Sequence, residues 1–146
     1  MKEIAIILTS ELGINIASII KREFVGTDIY SRIDSPEVIR ITSIRECVKD
    51  IFSQYQSIVF IGDMGICVRS ITPHIKDKYT DPAIINIDTT GQYAISVLSG
   101  HVGGANELTE KIARTIGAEA VITTQSDNKN LWALDTLGQK FNWHTE

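Results

Sequence analysis

The sequence predicts an α/β protein, a three-layer α/β/α sandwich built on a mixed, mostly parallel sheet. Three observations carry this. Residues 4–8 and 57–61 are apolar runs without polar alternation, the pattern of strands covered on both faces. Segments with apolar residues at a 3.6-residue period lie between and after them, the mark of helices packed by one face. Residues 83–88 and 93–98 are two strand-like runs joined by Thr89-Thr90-Gly91-Gln92, which predicts a hairpin and so an antiparallel pair in the sheet.

The elements follow in order. The first run ends in Thr9 and Ser10, a helix-capping signal, and apolar residues recur at Leu12, Ile16, Ile19, Ile20 and Phe24 as one helical stripe. Residues 28–41 read as an extended stretch. Ser43 and Glu46 form an S-x-x-E capping box ahead of Ile44, Cys47, Val48, Ile51, Phe52 and Tyr55, a second helix. The strand at 57–61 runs into Gly62-Asp63-Met64-Gly65 and a helix patterned by Met64, Cys67, Val68 and Ile71, which Pro73 stops near Thr72. Past the hairpin, Ala105, Leu108, Ile112, Ala113 and Ile116 mark a helix with Gly117 just beyond its end, the usual C-terminal glycine position. A strand is expected at 120–124, and Leu131, Leu134, Leu137 and Phe141 outline a last helix.

A chain of 146 residues supports one domain with a core, since roughly 70% of the unfolded surface is buried at this size. No linker, repeat or low-complexity run divides it, so residues 1–146 are expected to be a single domain. With 43% hydrophobic and 22% charged residues it is an ordinary globular composition. A net charge of -4 and a pI near 5.4 give no electrostatic basis for a nucleic-acid partner, which needs an excess of Lys and Arg on one face. The first apolar run is too short for a signal peptide or membrane span, so a cytoplasmic protein with no membrane association is expected. Cys47 and Cys67 sit in apolar surroundings, as small buried residues of a reducing compartment do.

Two glycine-rich junctions between strand and helix stand out as candidate chemistry: Gly62 to Gly65, and Ser99-Gly100-His101-Val102-Gly103-Gly104-Ala105-Asn106. Glycine lets backbone approach a ligand, and the N–H groups opening a helix attract anions. In an α/β sheet, ligands favour the crevice at the carboxyl ends of the strands, and both junctions are expected to open there on one shared hollow. The plain alternative is that the glycines only make tight turns. Neither junction matches G-x-G-x-x-G, and G-x-x-x-x-G-K-[ST] and G-x-S-x-G are absent. His74, His101, His144, Cys47 and Cys67 are scattered, without the spacing of a zinc site, so no protein-bound metal is expected. Arg69, one helical turn past the first junction, can fork onto a carboxylate; Lys78, Asp81, Asp88 and Asp127 are weighed against the surface ion pairs that such residues usually form.

The block at residues 61–74 (Ile-Gly-Asp-Met-Gly-Ile-Cys-Val-Arg-Ser-Ile-Thr-Pro-His), then Lys78 and Asp81-Pro82-Ala83, then Leu98-Ser99-Gly100-His101-Val102-Gly103-Gly104-Ala105-Asn106-Glu107-Leu108, then Val121-Ile122-Thr123-Thr124 with Asp127, resembles the amino-terminal domain of the CbiG family of cobalamin biosynthesis proteins in order and spacing. The resemblance is densest over residues 57–127, and L-S-G-H-x-G-G-A-N is its most specific stretch. It implies a cobalt-precorrin-5A hydrolase of anaerobic cobalamin synthesis: water opens the ring-A lactone, C20 and its methyl leave as acetaldehyde, and cobalt-precorrin-5B results. The cobalt belongs to the substrate, so the resemblance implies no cofactor. The partner implied is a corrinoid small molecule with many carboxylates, and other cobalamin-pathway enzymes or domains are possible further partners.

Within that resemblance His101 is the candidate catalytic acid or base, because a group with a reference pKa of about 6.5 serves either role; the alternatives are contact with a substrate carboxylate or a loop-orienting role. Gly62, Gly65, Arg69, Lys78, Ser99, Gly100, Gly103, Gly104, Asn106, Thr124 and Asp127 are the candidate substrate-binding residues. Cys67 stands where the family more often has alanine, and Gln125-Ser126 replace its usual Ala-Thr. Family members usually continue into a linking region and a carboxy-terminal domain, so the resemblance leaves open whether this chain is active in isolation. The competing readings are a non-catalytic corrinoid-holding module and an unrelated small-anion or nucleotide-binding domain.

Overall fold

The computed structural model describes residues 1–124. Seven strands form one sheet in the order β3-β2-β1-β4-β5-β6-β7: β1 Lys2–Leu8, β2 Thr27–Ser31, β3 Val38–Arg40, β4 Tyr55–Ile61, β5 Ala83–Ile87, β6 Tyr93–Leu98 and β7 Glu119–Val121. β1 to β5 are mutually parallel. β6 pairs with β5 antiparallel, and β7 runs alongside β6. The mixed sheet is the one the hairpin predicted.

Among the described residues four helices cover it: α1 Ile14–Glu23, α2 Ile44–Ile51, α3 Met64–Ile71 and α4 Ala105–Ile116. Alternation along the central strands sorts them into layers. Ile4, Ile6, Leu8, Val59, Ile61, Ile85 and Ile87 share a core with α1 and α4. Ala5, Ile7, Ile58, Phe60 and Ile84 share another with α2 and α3. Both faces of β1, β4 and β5 are therefore buried, which is why these strands read as apolar runs. This is the three-layer sandwich expected.

Local chemistry sets the boundaries. Ser43 Oγ accepts from Glu46 N at 3.2 Å and starts α2, as its capping box predicted. α3 ends at Ile71 and gives way to a 3-10 turn, Thr72–His74, because Pro73 has no N–H to continue the helix. Gly117 ends α4 with φ +76. The hairpin between β5 and β6 is organised by Asp88, whose carboxylate accepts from Tyr93 N at 2.7 Å, Thr90 N at 3.2 Å and the Thr90 hydroxyl. Burial pushes that carboxyl up, and these hydrogen bonds outweigh it, leaving its pKa below the ordinary carboxylate range. Burial raises both buried thiols, Cys47 to about 11 and Cys67 to about 12.

Four expectations need correction. Tyr55 opens β4 instead of closing the second helix, which ends at Ile51. Leu12 is 77% exposed, because Ser10 caps a 3-10 turn over Glu11–Gly13 before α1 begins, which moves Leu12 off the helical stripe. Val68 is exposed, and α3 buries Cys67, Ser70 and Ile71 instead. The last described strand is Glu119–Val121 rather than 120–124, paired with Tyr93 to Ile95 of β6. The final helix expected at 131–141 lies outside the described residues. Among the described residues no helix is long and apolar enough to cross a membrane.

Candidate functional site

Strand direction decides which candidate residues meet. Ile61 at the end of β4 pairs with Ile87 at the end of β5, so Gly62 leaves the sheet at the carboxyl edge of the parallel strands. Leu98, at the end of β6, pairs with Ile84 near the start of β5. The Ser99 loop therefore leaves at the opposite, amino edge. For the seven residues of β4 the edges lie roughly 20 Å apart at about 3.3 Å per residue. The single hollow expected between the two junctions does not exist: the carboxyl end of an antiparallel strand lies with the amino ends of its parallel neighbours.

Gly62, Gly65 and Arg69 occupy the carboxyl edge. Gly62 N donates to Ile87 O at 2.8 Å, and its own carbonyl accepts from Asn86 Nδ2 at 3.1 Å. Gly62 has φ +152, and a Cβ there would lie 2.0 Å from Thr9 Oγ1. Thr9 is held in place because its hydroxyl donates to Ile61 O at 3.0 Å. The glycine is thus required by close approach of two strand ends. Gly65 is exposed in the first turn of α3, and a Cβ on it would meet only Arg69 Nη1 at 3.4 Å, so the Arg69 side chain folds back toward the junction. Asn86 is buried and its Oδ1 has no hydrogen-bond partner. The sequence reading missed Arg32, Arg40 and Arg45, which share this edge. Their signal was an arginine at, or directly after, the end of a parallel strand or opening the following helix.

The amino edge gathers Lys78, Ser99, Gly100, His101, Gly103, Gly104, Asn106 and Thr124. Ser99 is the one described non-glycine residue with positive φ, at 59°, a conformation costing about 1–2 kcal/mol. Its surroundings hold it there: its carbonyl accepts from Ala105 N at 3.1 Å and its hydroxyl donates to Asp81 O at 3.3 Å. The buried Asp81 carboxylate accepts from Lys76 N at 2.9 and 3.1 Å, which pins the 75–82 segment, with Lys78 exposed on it, beside the loop. A Cβ on Gly103 would come within 2.6 Å of Ser99 Cβ and 2.9 Å of Ser99 O, so the loop closes on itself through that glycine.

Asn106, in the first turn of α4, is 4% exposed. Its Oδ1 accepts from Ser96 Oγ at 2.5 Å and its Nδ2 donates to Thr124 Oγ1 at 2.7 Å, while its backbone N donates to Gly100 O at 3.0 Å. Asn106 and Thr124 are therefore cross-links between β6, the loop and the segment after β7. His101 and Val102 are exposed at the tip of the loop, and Gly104 begins α4. An open groove of about 370 Å³ runs along this edge past Glu3, Gln56, Ser57, Gly103, Gly104 and Lys111; His101 is not part of its lining. Asp127 lies outside the described residues. Among the described residues no three His, Cys, Asp or Glu side chains gather as a metal site would need.

Comparison with known proteins adds the family. Residues 46–127 match a family model described as Cobalamin synthesis G N-terminal. A cobalt-precorrin-5A hydrolase from Priestia megaterium is 37% identical over 147 residues, 95% of this chain and 39% of that protein. One from Salmonella typhimurium (strain LT2) is 50% identical over 91 residues, 62% of this chain and 26% of that protein. The crystal structure of a cobalamin biosynthesis protein G homolog from Sulfolobus solfataricus superimposes with a TM-score of 0.67 at 26% identity, covering 88% of this chain and 40% of that one. The chain thus spans about a quarter to two fifths of the length of these relatives. With the family model matched over more than half of its residues, the chain belongs to the cobalamin synthesis G amino-terminal family.

Proposed function

We propose that this chain works in anaerobic cobalamin synthesis as the amino-terminal part of a cobalt-precorrin-5A hydrolase, with the amino-edge loop at the reacting end of the substrate. The observation that carries the reading is the loop at 99–106: a strained Ser99 held by hydrogen bonds with Ala105 N and Asp81 O, with His101 exposed at its tip. Rigid support behind an exposed histidine is what an acid–base group needs, because proton transfer depends on position before pKa. In this reading water opens the substrate's lactone and the two-carbon fragment leaves as acetaldehyde, with His101 moving the proton. Lys78 meets a peripheral carboxylate. Ser99, Asn106 and Thr124 support the loop instead of touching substrate, since their hydrogen bonds run to protein groups. The cobalt is the substrate's own, and the reading needs no further cofactor. A cytoplasmic location and contact with other pathway enzymes or domains belong to the same proposal.

The test supplies cobalt-precorrin-5A to the protein and follows acetaldehyde. Wild-type release is expected, His101→Ala should lower it by about 100-fold or more, and Arg69→Gln, at the far edge, should leave kcat within a few-fold. Full turnover by His101→Ala would remove His101 from the proton-transfer role. Corrinoid binding by the wild type without acetaldehyde would favour the second reading, a corrinoid-holding module.

A further inference from the structure

We propose that the carboxyl edge carries a separate binding site for a ligand with two or more oxyanion groups, held by Arg32, Arg40, Arg45 and Arg69. The inference stands on this edge alone and does not depend on the reaction at the amino edge. Arg32 directly follows β2 and Arg40 ends β3, two strands stitched at that end by Ile41 N donating to Ser31 O at 2.8 Å. Together with Ile41 and Thr42 these arginines line an open hollow of about 720 Å³, a volume in the range of ligand sites. Arg45, in the first turn of α2, and Arg69, on α3, line a second hollow of about 200 Å³ with Ile44, Ile66 and Ser70. The two hollows adjoin along the chain at residues 42–44.

All four arginines are exposed, and none forms an ion pair with a carboxylate among the described residues, although Asp34, Glu46 and Asp63 lie on the same segments. An ion pair among the described residues, Lys111 to Glu107 at 3.5 Å, is on α4. In a chain of net charge -4, four unneutralised arginines on one edge leave a local positive field on an otherwise acidic molecule. Guanidinium forks match carboxylate and phosphate oxygens two at a time. Two pairs in adjoining hollows suit two such groups on one small molecule. The edge is also the one where α/β sheets open their crevices.

The experiment titrates the full chain with citrate, pyrophosphate and the polycarboxylate corrinoid cobyrinic acid, and with the heptamethyl ester of the last as its uncharged control. Calorimetry reads affinity and thermal melting reads stabilisation, since a ligand bound to the folded state alone raises Tm. At least one anion should bind, more weakly as salt rises, and Arg32→Gln/Arg40→Gln and Arg45→Gln/Arg69→Gln should each weaken it by about tenfold or more. His101→Ala should leave it unchanged, and the ester should not compete. Cobyrinic acid binding best would identify a carboxylate-bearing macrocycle as the source of the oxyanions, and pyrophosphate binding best would identify phosphate. Circular dichroism establishes that the variants fold, and Arg→Lys at the same positions should recover part of the affinity. Absence of binding by every anion, or equal affinity in wild type and both double variants, overturns the proposal; acetaldehyde release is read separately and is untouched by either result.

Discussion

The junctions at 62–65 and 99–106 are built from the same parts, a buried strand, glycines and a helix start, yet they are different objects. The first is a close crossing of strand ends in which Thr9 fills the space a side chain at Gly62 would take. Beyond it the edge is open, with Arg32, Arg40, Arg45 and Arg69 lining its hollows. The second is a closed bracket: Ser99, Gly100 and Asn106 spend their hydrogen bonds on one another and on Asp81, Ser96 and Thr124, and only the tip is exposed. Glycine content therefore does not by itself distinguish a ligand cradle from a packing constraint. What the missing Cβ would have touched does.

Substitutions can break or sharpen that contrast. The largest effect is expected for Gly62→Ala, where positive φ and a clash with Thr9 act together, for a loss of about 3–4 kcal/mol in urea unfolding. Adding Thr9→Ala should return part of it by removing Oγ1; no recovery would place the cost in the backbone alone. Asn106→Ala should cost about 2 kcal/mol in the same measurement, because it strips partners from buried Ser96 and from Thr124. A neutral result there would show that the bracket is held by its backbone bonds and that Asn106 is available for another role. The smallest effect has the opposite sign. Gly65→Ala adds a methyl that meets only the mobile end of Arg69 in an exposed helical turn, and should raise stability by about 0.5–1 kcal/mol. Destabilisation by Gly65→Ala would mean that this position, like Gly62, is constrained by packing.

Much of the fold was legible because its determinants are local. Ile4 to Leu8 and the 57–61 run declared themselves by lacking alternation, Ser43 and Glu46 by capping, Pro73 and Gly117 by what they forbid or permit. Leu12 and Val68 were misplaced because a periodicity count cannot see a 3-10 turn at a helix start or choose between adjacent apolar residues on a short helix. Within the site, the loop residues were found from glycine and histidine spacing. Arg32, Arg40 and Arg45 were not, because an isolated arginine in a sequence looks like any solvated surface charge, and only folding brings four of them to one edge.

The sequence alone determined the layer architecture, the hairpin at 89–92 and membership of the two glycine junctions in strand-to-helix turns, since each depends on residues within a few positions of one another. The tertiary structure decided where those turns point. Strand direction is a property of a pair of strands, carried by the hydrogen-bond register between Ile84 and Leu98 and between Ile87 and Ala94. Reversing β6 against β5 sends His101 to one end of the sheet and leaves Arg69 near the other.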